Sequence, residues 1–306
     1  MRTIFRAIWR IILVLWRIIT IPFRFIDWIV RSIYRIKTIV FGALKAFFIE
    51  EPEDAPLGDA IQMAVENPTE ILYHVDALRR HLVRAAGFFL IVCVVAFIFI
   101  DPILVWMTAP IPGGRAALVA IDVTEPLSVV MRVVMLVGFT ISLPYIILEL
   151  LLFAAPGLSR RARFLGLAAI PLITLFFLTG LLFSYYFMLP PALEFLINFK
   201  GFATAPRPSS YVTLITGIMF WIGLAFEFPL VIFVLSSMGI VRAEWLKDNW
   251  RIAVVIITIL AAVITPTVDP LNMGLVMGPL ILLYILSIGL AYIGQGRRKT
   301  HQDTES

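Results

Sequence analysis

The sequence predicts an all-α polytopic membrane protein that crosses the bilayer six times and keeps both termini in the cytoplasm. Hydrophobic residues make up 61% of the 306 residues and charged residues only 15%, whereas soluble domains are about half apolar and a quarter charged. The apolar residues fall in six runs, most of which reach the ~20 residues that a bilayer-spanning helix needs. The lysines and arginines between the runs lie mostly on one side of the membrane, which orients the chain.

The six runs contain few charges and are expected to form helices, because a helix satisfies its own backbone hydrogen bonds in lipid. They cover residues 85–107, 126–153, 164–193, 208–240, 252–268 and 270–296. The fifth run is the shortest. Pro144 and Pro229 lie within runs and should bend their helices, so that the bundle forms a concave wall.

The basic residues predict which loops are cytoplasmic. The predicted cytoplasmic side carries twelve of them: Arg79, Arg80, Arg84, Arg160, Arg161, Arg163, Arg242, Lys247, Arg251, Arg297, Arg298 and Lys299. The outer side carries three: Arg115, Lys200 and Arg207. Residues 297–306 then form a cytoplasmic tail. The outer loops, 108–125 and 190–210, are rich in proline and glycine, so we expect compact structured caps there. We also expect Pro110 and Asp269 to be structural residues at the outer mouth.

Residues 1–48 predict an amphipathic interfacial helix. Seven arginines recur at intervals of 4, 4, 7, 7, 7 and 4, which places them in one stripe about 80° wide: Arg2, Arg6, Arg10, Arg17, Arg24, Arg31 and Arg35. We expect this helix to lie in the headgroup layer with its arginines on anionic lipid phosphates, or to pack against a partner's amphipathic helix. A span through residues 11–23 is the weaker alternative, because it would hold Arg17 at its centre.

Residues 49–70 form an acidic linker with seven carboxylates, and no lysine or arginine occurs from residue 46 to residue 78. We interpret this segment as a solvated spacer. Asn67 and Pro68 indicate a helix start, with Asn67 as the cap and Glu70 at the capping-box position. The six-span domain then covers residues 71–296.

The sequence lacks the patterns of common membrane enzymes and pumps. It contains no His-Glu-x-x-His, no Gly-x-Ser-x-Gly and no Gly-x-x-x-x-Gly-Lys-[Ser/Thr]. The three histidines, His74, His81 and His301, lie on the predicted cytoplasmic side, and the single cysteine, Cys93, lies in an apolar run. We therefore expect no enzymatic activity, no metal and no cofactor, and nothing indicates nucleic-acid binding.

Glu227 has the highest expected free energy of membrane insertion in the chain, because its carboxyl group lies in the middle of the fourth apolar run. A charge at that depth costs about 2.5–3.5 kcal/mol on insertion scales, so protonation or a partner must offset it. We interpret Glu227 and Pro229 as a partner-binding or proton-linked site, and the alternative is a neutral structural glutamate. A small-solute transporter is an alternative function, but it would need a continuous polar pathway, and only Glu227, Glu149 and a few hydroxyls are available.

Short motifs follow one another along the spans. They are His-Val-Asp-Ala-Leu-Arg at 74–79, Ile-Asp-Val-Thr-Glu-Pro at 121–126, Pro144, Phe153 with Pro-Gly-Leu at 156–158, Phe-Ser-Tyr-Tyr at 183–186, Pro190, Phe-Glu-Phe-Pro at 226–229, and Thr-Pro at 265–266 with Asp269. No single motif is specific, but their order and spacing over residues 70–292 resemble TatC, the multi-spanning subunit of the twin-arginine protein translocase.

The resemblance implies a receptor for twin-arginine signal peptides on folded cargo, in the cytoplasmic membrane of a bacterium or archaeon. It also implies single-span TatA/TatB-type partners, a homo- or hetero-oligomer, and the proton-motive force as energy source. On this basis Asp76, Arg79, Glu149 and Phe153 are the predicted signal-peptide-binding residues.

The chain departs from the family where signal arginines are usually bound. TatC proteins usually carry glutamates at the positions of Ala77 and Ala162. In one explanation Asp76 and Glu149 take over, since one carboxylate can hold a guanidinium with two hydrogen bonds. In the other, the chain is a divergent TatC-like paralogue that no longer reads twin arginines.

Overall fold

We describe the fold from a computed structural model, which covers residues 68–158, 160–197, 206–237, 239–265 and 270–305. Every regular element in these ranges is helical, which confirms the all-α prediction. The chain divides into two compact units, one of residues 1–68 with 152–164 and one of residues 69–151 with 165–306. Each unit is described by itself.

Ten α-helices are described, and three short helical turns accompany them. The α-helices are α1 Pro68–Ile98, α2 Ile100–Thr108, α3 Glu125–Ala154, α4 Arg160–Phe183, α5 Leu189–Ile197, α6 Pro208–Phe226, α7 Phe228–Ser237, α8 Ala243–Asp248, α9 Trp250–Ile264 and α10 Pro270–Glu305. The turns are the 3₁₀ helices Gly114–Ala117 and Ala155–Gly157 and the π-helix Ser184–Met188.

The described residues contain five helical segments long and apolar enough to cross a membrane, and one shorter apolar helix. We call them the first span (α1 with α2), the second (α3), the third (α4 with α5), the fourth (α6 with α7), the fifth (α9) and the sixth (α10). The fifth has 15 residues, about 22 Å at 1.5 Å per residue. The six predicted crossings are compatible with these helices.

The first helix begins at Pro68, which confirms the helix start predicted from Asn67 and Pro68. Other helices extend beyond the predicted apolar runs, since the last one reaches Glu305 and so includes most of the predicted tail. The third span continues through the π-helix, in which each N–H bonds to the carbonyl five residues back. Apolar runs mark only the lipid-facing part of a helix, so they underestimate helices that continue into water.

Two tyrosines hold the outer end of the first span against the third and fourth. The Tyr185 hydroxyl donates to the Trp106 carbonyl at 2.5 Å, and the Tyr211 hydroxyl donates to the Met107 carbonyl at 2.8 Å. The rings of Trp106 and Tyr185 also stack with centroids 4.1 Å apart. The Trp106 carbonyl also accepts from the Ala109 N–H at 3.2 Å, so Tyr185 adds a second donor to it. Tyr211 satisfies a carbonyl in the last turn of α2, where partners inside the helix are missing.

The bundle centre combines aromatic rings with close helix contact. The Phe139 ring lies 5.7 Å from the Phe177 ring and 5.2 Å from the Phe220 ring, which joins the second, third and fourth spans. Gly180 and Gly223 allow α4 and α6 to approach closely, because a Cβ on Gly180 would lie only 2.8 Å from the Gly223 Cα. Small residues serve this purpose widely in membrane bundles.

The sixth span packs along the fourth and over α8. The Ser236 hydroxyl donates to the Ala291 carbonyl at 2.9 Å, and the Tyr284 hydroxyl donates to the Leu246 carbonyl at 2.5 Å. The first contact joins the predicted cytoplasmic ends of the fourth and sixth spans, and the second joins the sixth span to α8. Together with the tyrosine contacts at the outer ends, they agree with helices that cross in alternating directions.

Some predictions fall on residues outside the described ranges. They are the amphipathic helix over residues 1–48, the acidic linker up to Asn67, and Asp269. Pro110 is described, and it lies half-buried in the turn that follows α2.

Candidate functional site

Glu149 is a buried carboxylate near the predicted cytoplasmic end of the second span. It is only 3% exposed. One oxygen, Oε1, accepts a hydrogen bond from the Tyr145 hydroxyl at 2.7 Å. The other, Oε2, lies 2.5 Å from Nδ1 of His81 and 3.9 Å from Nη1 of Arg84. Glu149 therefore contacts a hydroxyl donor from its own span, Tyr145, and two basic side chains from the first span, His81 and Arg84.

The neighbours of Glu149 follow from helix geometry. Tyr145 precedes Glu149 by four residues, and Arg84 follows His81 by three, so each pair lies on one helix face. Phe88 lies one turn beyond Arg84, and its ring is 4.4 Å from the Tyr145 ring. The two spans therefore meet through an apolar ring contact beside the charged cluster.

The other predicted signal-peptide residues lie elsewhere. Asp76 and Arg79 are exposed on α1, and at about 100° per residue they lie roughly 140° and 160° around the helix from His81. Phe153 is half-buried and belongs to the unit that contains residues 152–164. In that unit, the Arg163 Nε donates to the Leu158 carbonyl at 3.0 Å.

Glu227 lies at a break in the fourth span. Helix α6 ends at Phe226 and α7 begins at Phe228. Pro229 has no N–H, so it cannot donate to the Ala225 carbonyl and the helical ladder is interrupted here. Oε1 of Glu227 is buried and accepts no hydrogen bond from the described residues. An unsatisfied carboxylate oxygen inside a membrane bundle is costly, which makes this position a candidate for a polar partner or a proton.

Glu125 organises the outer side of the bundle. It is 4% exposed, and its Oε1 accepts from the Ser209 N–H at 3.0 Å and from the Ser209 hydroxyl at 2.5 Å. Its Oε2 accepts from the Ile121 N–H at 3.0 Å and lies 3.4 Å from Nη2 of Arg207. Glu125 begins α3 and Ser209 is the second residue of α6, so one carboxylate meets the positive ends of two helices.

The loop before Glu125 is ordered by Asp122. Its Oδ1 accepts from the N–H and from the hydroxyl of Thr124, both at 3.1 Å. These two hydrogen bonds hold the pKa of Asp122 below its usual range. The Val119 N–H also donates to the Pro206 carbonyl at 3.4 Å, which joins the two outer loops. This part of the outer surface is therefore a structured cap, as the proline and glycine content predicted.

Sequence reasoning did not assign the roles of His81, Arg84, Tyr145 and Glu125. Tyr145 and Glu149 are four residues apart, a spacing that alone predicts a contact. Glu125 precedes a proline at a helix start, a position where an acid often serves as a cap. The contacts of His81 and Arg84 with Glu149 join residues more than 60 positions apart, and no local pattern reveals them.

Comparisons with known proteins identify the relatives of this chain. A family model described as "Sec-independent protein translocase protein (TatC)" matches residues 73–279. The chain is 36% identical over 249 residues to the "Sec-independent protein translocase protein TatC" of Koribacter versatilis (strain Ellin345), covering 77% of this chain and 90% of that protein. It is 33% identical to the protein of the same name from Deinococcus radiodurans, covering 72% and 84% respectively.

A solved structure has the same fold. The crystal structure described as "Twin Arginine Translocase Receptor- TatC" superposes with a TM-score of 0.65 at 30% sequence identity. The match covers 72% of this chain and 99% of that one.

Proposed function

Because this chain belongs to the TatC family and is a component of the twin-arginine translocase, a multi-pass membrane protein, we propose that it recognises twin-arginine signal peptides on folded cargo. In this proposal it lies in the cytoplasmic membrane of a bacterium or archaeon, is not an enzyme, needs no cofactor, and supports export driven by the proton-motive force.

The observation that carries the receptor proposal is the buried carboxylate of Glu149, with His81 and Arg84 as its basic neighbours. The usual acids of the family are absent at Ala77 and Ala162. A carboxylate that already holds basic groups has the chemistry to hold a signal-peptide guanidinium. Asp76, exposed on α1, offers a second carboxylate for the paired arginine, and Arg79 and Phe153 complete the proposed contact set.

Crosslinking tests this assignment. Photoreactive probes next to Asp76, Glu149 and Phe153, which leave those three side chains in place, should capture a twin-arginine signal peptide and lose it when both signal arginines become lysines. We expect the Glu149→Gln variant to bind the peptide more weakly. Equal capture of the arginine and lysine peptides would refute the receptor role. It would favour the alternative, a divergent paralogue that does not recognise twin arginines.

We also propose that Glu227 and Pro229 form the contact for a single-span TatA/TatB-type partner, or a proton-linked step. The support is the buried Glu227 Oε1 at the helix break. Glu227→Ala should abolish or sharply reduce export of a twin-arginine reporter, whereas Glu194→Ala, which removes an exposed acid near the outer end of the third span, should leave export unchanged. Normal export by Glu227→Ala would remove the proposed role.

A further proposal concerns the N-terminal 48 residues, whose arginine stripe suits anionic lipid. A peptide of residues 1–48 should bind vesicles containing anionic phospholipid far better than neutral vesicles. Binding that does not depend on lipid charge would contradict this role and favour a protein partner.

A further inference from the structure

The Glu149 carboxylate is already occupied by donors of the same chain. Tyr145 holds one oxygen, and His81 and Arg84 share the other. We propose that His81 and Arg84 are internal competitors for this carboxylate, so that a signal-peptide guanidinium binds Glu149 only by exchanging with them. This inference rests on the proposed receptor function and adds two specificity-determining residues to it.

Burial favours exchange over simple addition. A carboxylate has about four acceptor positions, and a guanidinium that binds with two parallel hydrogen bonds needs one on each oxygen. Tyr145 and His81 take one position each, so the number of acceptors is not limiting. The Glu149 side chain is only 4% exposed, however, and Arg84 approaches Oε2 to 3.9 Å, so an incoming guanidinium must displace a group that covers the carboxylate.

Charge balance leads to the same conclusion. Glu149 is buried, so its charge needs a counterion in the resting state. Arg84 lies within ion-pair range, and His81 supplies the short hydrogen bond. A second guanidinium beside Arg84 would add like-charge repulsion, whereas replacing Arg84 by a peptide arginine leaves the local charge unchanged.

The exposures of the three side chains show where exchange would take place. The side chain of Glu149 is 4% exposed, that of His81 is 20% exposed and that of Arg84 is 44% exposed. The competitors therefore lie between water and the carboxylate. Arg84 keeps water contact in the resting state and has solvent available when it leaves.

Exchange would also loosen a contact between two spans. His81 and Arg84 lie on α1, and Glu149 lies on α3. Two described contacts would still join the helices when both basic groups leave. They are the Phe88–Tyr145 ring pair and the contact of the Cys93 thiol with the Val134 carbonyl at 3.8 Å. Peptide binding would thereby allow the predicted cytoplasmic end of the first span to move more freely.

The experiment measures the Kd of a fluorescent twin-arginine signal peptide for the full chain in lipid nanodiscs. Arg84→Gln is the primary variant, because it leaves His81 and Tyr145 on the carboxylate and should keep the fold. His81→Gln is the second variant, with a thermal melt as a check of folding. Lys247→Gln removes an exposed cation from α8, on another predicted cytoplasmic loop, and controls for general electrostatics.

We expect Arg84→Gln and His81→Gln each to lower the Kd about three- to tenfold, since the first variant removes an ion-pair contact and the second removes the His81 hydrogen bond that would be given up on binding. Lys247→Gln should leave it unchanged. When Arg84→Gln is combined with Glu149→Gln, the Kd should equal that of Glu149→Gln alone.

Three outcomes overturn the inference. The first is arginine-specific binding that is unchanged or weaker in Arg84→Gln and His81→Gln. The second is equal tightening by Lys247→Gln. The third is tightening that persists in the Glu149→Gln background. A di-lysine peptide that binds every protein as well as the twin-arginine peptide would instead refute the receptor function itself, so the two failures are distinguishable.

Discussion

Substituting Gly180 by alanine tests the close contact between the third and fourth spans. A Cβ on Gly180 would lie 2.8 Å from the Gly223 Cα, 2.9 Å from the Phe226 Cγ and 3.0 Å from the Ile222 carbonyl oxygen. Two of these atoms belong to the backbone of α6 and cannot rotate away. The helices must therefore move apart by several tenths of an ångström, next to the break that presents Glu227.

The expected cost follows from two opposing effects. Overpacking of this kind costs about 1–3 kcal/mol, and alanine recovers about 0.5–1 kcal/mol of helix preference. Taking the middle of both ranges, the net loss is about 1.3 kcal/mol, which at about 2–4 °C per kcal/mol lowers the melting temperature by roughly 3–5 °C. Gly217→Ala is the matched control, because nothing lies within 4 Å of a Cβ there.

Thermal unfolding of the purified protein, followed by tryptophan fluorescence in one detergent, provides the measurement. We expect Gly217→Ala to melt at the wild-type temperature or slightly above it, and Gly180→Ala to melt clearly below. If the two alanine variants melt together, the close approach of α4 and α6 is wrong.

Two further predictions concern the outer side of the bundle. Tyr211→Phe removes the hydroxyl that donates to the Met107 carbonyl and should destabilise the protein by about 1 kcal/mol, whereas Tyr186→Phe, at an exposed ring, should have no effect in the same melt. Glu125→Ala removes the acceptor of the Ser209 hydrogen bonds, and we expect faster amide exchange at Ser209 by mass spectrometry, with a smaller change in Glu125→Gln. Wild-type exchange in Glu125→Ala would contradict the role of this acid in the outer cap.

The spans were predictable because lipid imposes a simple composition on the residues that face it. An apolar run of about 20 residues has few alternatives to a membrane helix. Pro229 predicted a disturbed helix near Glu227, but a proline alone does not determine a break, since Pro144 lies inside a continuous helix. The π-helix at Ser184–Met188 was not predictable, because it depends on how Tyr185 and Met188 pack against neighbouring spans.

The candidate site was predictable only in part. The family resemblance made Glu149 a candidate signal-peptide-binding residue, and that role stays a prediction. Its partners His81 and Arg84 lie on another span, and the contact depends on how the first and second spans pack. The sequence therefore indicated an acid open to an incoming arginine, whereas the structure shows an acid already in contact with basic groups of its own chain.

The receptor role is tested most directly by the affinity of the purified chain for a twin-arginine signal peptide and for the same peptide with both arginines replaced by lysine. We expect the arginine peptide to bind more tightly, and the difference to shrink in Glu149→Gln. Equal affinities of the two peptides for the wild-type protein would contradict the proposal that this chain reads twin arginines.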